Sequence, residues 1–354
     1  MKRTGEILAA GLLTGITSGT AQAESGYVYE AGHPSLQEWL LPETPPYPEG
    51  NAPNEARVAL GKMLFFDNRL SGDGNMSCAT CHNPMYGWSD NLPTAKGVKS
   101  MVLERATPTV INTGYNTIQM WDGRKATLEE QAMGPMEANA EMNMGIEALF
   151  TWLRDTPGYV AAFEKAYPGE GINADTLSRA IATFEREVVS DDSPFDRWVR
   201  GDGEAMTAQQ VRGFRLFVEK DKGNCAVCHS APNFTDNGFH NIGLASFGVE
   251  NPDVGRYAQK PLGLMKGAFK TPTLRDITRT APYFHDGSAA TLREAVQHYV
   301  DGGVVKTNLS PNFKDGLALT DQEVDDILAF LQALASPPMK VTLPLLPDGL
   351  VTQN

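Results

Sequence analysis

Apolar residues recur at three- and four-residue spacing in four stretches of this 354-residue chain, which is the spacing that places them on one face of a helix. These stretches are residues 174–189, 207–219, 291–300 and 320–334. The last one opens with Thr320 and Glu323, a pair that forms a capping box at the start of a helix. No sustained two-residue alternation, the pattern of a half-buried strand, accompanies them. The pattern predicts an all-α fold class.

The same short motifs occur in the same order in both halves of the chain. The pairs are GKMLF at 61–65 and GFRLF at 213–217, TPT at 107–109 and 271–273, WDG at 121–123 and HDG at 285–287, and TLEE at 127–130 and TLRE at 291–294. Asp, Ser, Pro and Gly collect at 191–202, as they do in linkers. We therefore predict two small helical domains in tandem, at 51–195 and 196–340.

The two ends of the chain carry other signals. Residues 1–23 combine Lys2 and Arg3, a short apolar run and a small-residue ending, which is typical of a cleavable secretory signal peptide. A membrane anchor is the alternative, but this run and every later one are too short to span a bilayer. Residues 24–50 are predicted to be an extended surface lead-in, and residues 341–354 a tail. Export predicts a periplasmic protein without a membrane span.

The formal net charge of the chain is −13. Such an acidic balance argues against nucleic acid as a partner. An acidic surface can steer a basic redox protein toward the chain, although acidic surfaces more often serve solubility alone. Charge therefore excludes one class of partner and leaves the others open.

All four cysteines fall in two copies of one motif, CATCH at 78–82 and CAVCH at 225–229. Cysteines three residues apart lie on one side of a helical turn, where each sulfur can join a haem vinyl group while the following histidine ligates the iron. Disulfides and a zinc site are the alternatives. Zinc needs the two pairs within about twenty residues, whereas these motifs begin at 78 and 225. We predict two covalent c-type haems, held by Cys78, Cys81 and His82 and by Cys225, Cys228 and His229.

Few residues can supply the other axial ligand of each iron. None of the six histidines lies between the two motif histidines, so the middle of the first domain cannot supply one. Counting eight residues on from Thr291 reaches Tyr299, whose phenolate can ligate iron. The same count from Thr127 reaches Pro135, which cannot ligate a metal. The duplication thus predicts different coordination in the two domains.

We infer that His229 and Tyr299 both ligate the second iron, whereas the first keeps an open or water-filled face. Tyr299 as a plain core residue, or its neighbour His298 as the ligand, are the alternatives. An open haem beside a closed one suggests chemistry at the first and electron supply or storage at the second. A plain electron carrier is the rival hypothesis, and it predicts two ligand-saturated haems.

With these motifs, the chain resembles the bacterial di-haem cytochrome c peroxidases and their relative MauG, from about residue 50 to about residue 338. The resemblance rests on WDGR at 121–124, EQA at 130–132 followed by Gly134 and Pro135, EM at 141–142, and TAPYFHDG at 280–287. It implies hydrogen peroxide as oxidant, a peroxidatic first haem and an electron-transfer second haem. It implies that Trp121 relays electrons between the haems and that Gln131 and Glu141 lie with Pro135 on the distal face. A carboxylate there can move a proton between the two oxygens of peroxide.

Two departures from the better-known peroxidases point toward the MauG type. Those enzymes have a histidine shortly after the first haem motif and a methionine ligand at the second iron, where this chain has Val98 and Tyr299. A phenolate is a hard anionic donor that favours ferric and higher states, unlike a soft thioether. The electrons come either from a periplasmic redox protein (cytochrome c or cupredoxin) or from residues of a protein substrate. The resemblance also allows a homodimer.

The resemblance further implies one calcium ion between the domains, bound in part by backbone carbonyls of Thr280 and Pro282. In the family an asparagine adds a side-chain oxygen, and Ala106 stands in its place here. A cation would then need an oxygen from water or from nearby Asn112. The expectation is one calcium ion with an incomplete ligand set.

Overall fold

The computed structural model describes residues 26–313 and 315–347, so the predicted signal peptide at 1–23 lies outside the described residues. The α-helices are α1 (Glu55–Phe66), α2 (Cys78–Cys81), α3 (Leu128–Glu137), α4 (Ile146–Asp155), α5 (Pro157–Ala166), α6 (Ala174–Arg186), α7 (Pro194–Val199), α8 (Ala208–Val218), α9 (Leu292–Val300) and α10 (Asp321–Gln332). Two short strands, β1 (Phe239–His240) and β2 (Phe269–Lys270), pair antiparallel with Phe239 opposite Lys270. The all-α fold class is confirmed.

Short 3-10 helices connect these elements at Pro34–Trp39, Asn68–Leu70, Pro84–Tyr86, Val98–Ser100, Thr113–Tyr115, Cys225–Val227, Ala245–Gly248, Arg256–Ala258, Gly263–Met265 and Ile277–Arg279. Across the described ranges, no helix combines the length and the apolar character needed to cross a bilayer.

The four predicted helices are present as α6, α8, α9 and α10. Each begins after a polar residue whose side chain accepts a hydrogen bond from a backbone N–H of the first turn. At α10 the predicted capping box forms, because Thr320 accepts from the Glu323 N–H while the Glu323 carboxylate accepts from the Thr320 N–H at 2.9 Å.

Each domain has its own hydrophobic core, and the two cores are built around the same helix crossing. In the first domain α1 crosses α6, and in the second α8 crosses α10. A Cβ atom added to Gly61 would lie 1.9 Å from the Ala180 carbonyl oxygen, and one added to Gly213 would lie 1.9 Å from the Asp326 carbonyl oxygen. Glycine is therefore required at both crossings, and the duplication seen in the sequence is a duplication of structure.

The lead-in has no core of its own, but it does not only lie on the surface. Leu36 and Trp39 from the 3-10 helix Pro34–Trp39 are buried in the second core, with 0% and 1% exposure. Burying two large apolar side chains stabilises this placement over an exposed one. At the other end of the chain, Met339 and Val341 pack against the first core. The rest of the predicted tail, from residue 348, lies outside the described residues.

Candidate active site

Each cysteine-histidine motif lies at the wall of its own cavity, here called the N-terminal and the C-terminal cavity. The N-terminal cavity is lined by Cys78, Cys81 and His82, and the C-terminal cavity by Cys225, Cys228 and His229. All four thiols are free, which argues against the disulfide alternative. Because the two pairs line separate cavities, a single zinc site that uses both is also excluded.

The two motif histidines are held in the same way. Nδ1 of His82 donates to the Trp88 carbonyl at 3.3 Å, and Nδ1 of His229 donates to the Phe234 carbonyl at 3.0 Å. This bond fixes the ring and leaves Nε2 as the nitrogen for a metal. Burial lowers the pKa of both imidazoles, that of His229 to about 4, so that the neutral, ligating form is favoured.

These donors fit a covalent haem in each cavity. Two thiols and one oriented imidazole nitrogen on a single turn are the set that such a group requires. Burial also raises the pKa of Cys78 and Cys225, as expected for thiols in an apolar environment rather than for exposed nucleophiles. Both cavities are lined mainly by apolar side chains, which suits a large flat hydrophobic cofactor.

In the C-terminal cavity the further oxygen donor is Tyr299 of α9. Its side chain lines the cavity, and the nearby Cys225 and Cys228 thiols add to burial in raising the pKa of its phenol. The neighbouring His298 is engaged elsewhere, because its Nε2 donates to the Ile242 carbonyl at 2.8 Å and its ring packs against Phe284. Of the two candidates, Tyr299 is the one whose side chain lines the cavity.

The N-terminal cavity differs at the matching position. α3 begins after Thr127 as α9 begins after Thr291, and each threonine accepts from the N–H of a glutamate three residues on. Pro135 and Tyr299 therefore occupy the same position in equivalent helices, and each lines its cavity. The histidine lining the N-terminal cavity is His82 alone among the described residues.

Gln131 and Glu141 line the N-terminal cavity together with Pro135, as the resemblance implies. Burial raises the pKa of the Glu141 carboxyl, and the charge of Arg124 opposes this shift in part. A raised pKa makes this carboxyl a better proton acceptor than an exposed glutamate, which suits a proton carrier. Val98, which stands where the peroxidases have a histidine, is buried, and its N–H donates to the Glu141 carbonyl at 2.8 Å.

Trp121 is the one residue in the described part of the chain that lines both cavities. Its indole Nε1 donates to the Ala106 carbonyl at 2.9 Å, and its own carbonyl accepts from the Lys270 N–H at 2.8 Å. Arg256 donates to the carbonyls of Asp122 and Gly123, the two residues that follow it. Contacts from both domains thus hold the tryptophan at the junction of the two cavities.

The cavity walls also contain titratable residues that their sequence patterns did not single out as site residues, among them Glu185 in the N-terminal cavity, and His240 and Lys270 in the C-terminal cavity. Burial lowers the pKa of Lys270 to about 8, and hydrogen bonding to Asp236 raises that of His240 to about 10. None of them belongs to a haem motif. Aligning the two halves position by position would have drawn attention to them, since Lys270 corresponds to Ala106.

The segment expected to bind calcium lies against the first domain. The amide nitrogen of Asn91, in the orientation that satisfies its hydrogen bonds, donates to the carbonyls of Arg279 and Ala281 at 3.1 Å each. Asn112, the suggested substitute ligand, is already paired with Ser190, accepting from its N–H and donating to its carbonyl. Its amide is therefore not free to complete a cation site.

Known proteins are similar to this chain in sequence and in fold. Residues 55–204 match the family model of di-haem cytochrome c peroxidase, and residues 210–335 match that of cytochrome c. The chain is 44% identical over 309 residues to the methylamine utilization protein MauG of Methylorubrum extorquens, covering 86% of each. It is 35% identical over 322 residues to cytochrome c551 peroxidase of Pseudomonas aeruginosa, covering 88% of each. A solved MauG-like protein associated with microbial copper homeostasis matches with a TM-score of 0.78 and 30% identity, over 84% of this chain and 95% of that one.

Fold and cavities define a di-haem oxidoreductase with two cytochrome c-like domains. The chain belongs to the di-haem cytochrome c peroxidase and MauG family, which confirms the resemblance drawn from its motifs. Membership makes it an enzyme of the peroxidase type.

Proposed function

We propose that the chain reduces hydrogen peroxide in the N-terminal cavity, with electrons that pass through the C-terminal cavity and Trp121. The observation that carries the proposal is the contrast at one duplicated position. Tyr299 offers a second ligand atom in the C-terminal cavity, whereas Pro135 offers none in the N-terminal cavity. One cavity is therefore suited to electron transfer and the other to binding a small oxidant.

In this proposal each haem is held by the cysteines and histidine of its motif, and Tyr299 adds the second ligand in the C-terminal cavity. When bound, the haems supply iron that exchanges electrons and, in the N-terminal cavity, a coordination position for peroxide. The protein residues orient the oxidant, move protons and exclude competing ligands.

In this proposal Glu141 acts as the proton carrier. Reduction of hydrogen peroxide to two water molecules consumes two electrons and two protons, and cleavage of the O–O bond requires a proton on the departing oxygen. We infer that the Glu141 carboxylate accepts the proton of one peroxide oxygen and returns it to the other. Gln131, on the same wall, has hydrogen-bonding groups that can orient the oxidant. Pro135 keeps a competing side-chain ligand away from the site.

Two electron sources fit the site. One is a small periplasmic redox protein, either a cytochrome c or a cupredoxin, and the other is a side chain of a protein substrate. Tyr299 favours a side chain of a protein substrate as the electron source. Its anionic phenolate stabilises oxidised states of the haem iron, and these are needed to oxidise an amino-acid side chain. Export to the periplasm belongs to the proposal, and so does assembly as a homodimer.

An interdomain calcium ion, held by the carbonyls of Thr280 and Pro282, is also part of the proposal. Its support is the position of this segment, since a Cβ atom on Gly87 of the first domain would lie 3.1 Å from the Thr280 methyl group. Elemental analysis of the purified protein should find one calcium per chain. Protein that lacks calcium and keeps both haems would rule this part out.

Mixing the fully oxidised enzyme with hydrogen peroxide, without a reductant, tests the function. We expect peroxide to be consumed and the haem absorption to change, because no protein ligand has to be displaced by prior reduction before peroxide binds in the N-terminal cavity. A plain electron carrier would leave peroxide and spectrum unchanged. That outcome would overturn the proposal.

A further inference from the structure

Glu185, near the end of α6, is a buried carboxyl that the proposed chemistry does not use. Glu185 is 5% exposed, and its side chain lines the N-terminal cavity. Within residues 26–313 and 315–347, no hydrogen-bond donor reaches its carboxyl oxygens. A buried acid without a donor is costly to ionise, so such a group needs a reason to be kept.

Few charges surround this carboxyl. Arg186 of the same helix acts on it, but that guanidinium is paired with Glu129 of α3 at 2.7 Å, and the Glu129 charge opposes ionisation. On the side of α2 lies the Cys78 sulfur, which no longer titrates once it is joined to a haem. α1 contributes apolar contacts, through Phe65 and Phe66 against Phe184. Burial is the main cause that raises the pKa of Glu185, to about 8.

The second domain provides an internal control for this residue. A Cβ atom on Gly61 would meet Phe184 of α6 at 2.8 Å, and one on Gly213 would meet Phe330 of α10 at the same distance, so these phenylalanines are equivalent. The next residue is Glu185 in α6 and Leu331 in α10, and each lines its own cavity. The helix crossing is thus built with leucine in one domain, and the carboxyl is not a requirement of the fold.

We propose that Glu185 is a proton-binding group of the N-terminal haem pocket, which takes up a proton when that haem gains an electron and releases it when the electron leaves. The electron comes from the external reductant and the proton from solvent, so one negative charge is balanced by one positive charge. An added electron makes the cavity more negative and strengthens the proton affinity of a nearby carboxylate. The inference rests on a haem in the N-terminal cavity but not on the reaction with peroxide.

Infrared difference spectra of reduced minus oxidised enzyme test this directly. At about pH 9, above the pKa of Glu185, the carboxyl is ionised in the oxidised enzyme. At this pH we expect a carbonyl band of a protonated carboxylic acid to appear on reduction, to shift in deuterium oxide, and to be absent from Glu185→Gln. Glu185→Leu reproduces the residue of the second domain and should also lack the band. Glu137→Gln, which alters an exposed glutamate of α3, should retain it.

The midpoint potential of the N-terminal haem is the second readout. It should fall as pH rises above about pH 8 in the unaltered enzyme, because only the ionised carboxylate can take up a proton on reduction, and it should be nearly flat in both Glu185 variants. Intact mass establishes separately that each variant carries two haems. A band and a pH dependence that persist in both variants, or a band absent from the unaltered enzyme with both haems bound, would overturn the proposal.

Discussion

At the scale of single residues, the assignment of the proton carrier rests on Glu141. Burial raises the pKa of this carboxyl, and it shares the cavity wall with Gln131 and Pro135. Glu185, another acid in the wall of the same cavity, lies on α6, and the matching residue of the second domain is Leu331. We therefore propose separate roles for the two carboxyls: Glu141 moves the protons of peroxide, and Glu185 balances the charge of the pocket.

Glu141→Gln should slow the reaction with peroxide by about 10²- to 10⁴-fold, because the variant keeps the shape of the side chain and loses its titratable proton. Stopped-flow absorption after mixing oxidised enzyme with peroxide measures the rate. Glu137→Gln, an exposed change on α3, is the matched control and should react at the normal rate. An unchanged rate in Glu141→Gln would mean that another group, such as bound water, moves the proton.

Tyr299→Met should raise the midpoint potential of the second haem while keeping its iron six-coordinate, since a neutral thioether favours the ferrous state and an anionic phenolate the ferric state. Spectroelectrochemical titration measures the shift. His298→Ala is the control and should leave the ligands of that iron unchanged, because the His298 imidazole is bonded to the Ile242 carbonyl. A shift in His298→Ala and none in Tyr299→Met would reverse the assignment.

At the scale of the elements, the sequence predicted those helices whose apolar positions follow one face. α6, α8, α9 and α10 were found in this way, within a few residues of their ends. α3 lacked a clear signal because Gly134 and Pro135 interrupt it, although both lie inside the helix. Pro135 has no N–H to donate to the carbonyl of Gln131, so the helix lacks one backbone hydrogen bond shortly before it ends at Glu137. In α1 apolar residues lie on several sides, so no single face stands out.

The sequence predicted part of the candidate site, as it predicted part of the helices. The haem motifs and the contrast between Pro135 and Tyr299 follow from spacing and duplication alone. Aligning the two halves draws attention to a position such as Lys270, but it does not show that Glu185 and Lys270 lie in cavity walls, because burial depends on how distant elements pack. The contacts of Arg256 with the backbone after Trp121 also join distant parts of the chain, which no local pattern reveals.

The helix crossings give a prediction at this scale. Gly213→Ala should destabilise the second domain by about 1–3 kcal/mol, because the added methyl group meets the backbone of α10 and outweighs the gain in helix propensity. Denaturant unfolding followed by circular dichroism measures the change. Gly203→Ala, at a position with open space around it, is the control and should change stability little. Equal stability of the two variants would mean that the crossing adjusts without cost.

At the scale of the whole molecule, the two domains share one architecture and differ in the chemistry of their cavities. Among the described residues, Trp121 is the one that lines both cavities, and it is held by the Ala106 carbonyl of its own domain and by the Lys270 N–H of the other. Relative motion of the domains would therefore disturb the contact of this indole with both cavities. In the proposed function, this contact carries electrons between the two haems.

The central claim is that the N-terminal haem has an open or water-filled position while the C-terminal haem has two protein ligands. Electron paramagnetic resonance of the fully oxidised resting enzyme tests it most directly. We expect a high-spin or water-ligated ferric signal from the N-terminal haem beside a low-spin signal from the C-terminal haem, and immediate loss of the first signal on adding peroxide. Two low-spin signals that do not respond to peroxide until an electron is added would contradict it, and would indicate a hidden ligand such as Met76, Met120 or Met142, whose side chains line the same cavity.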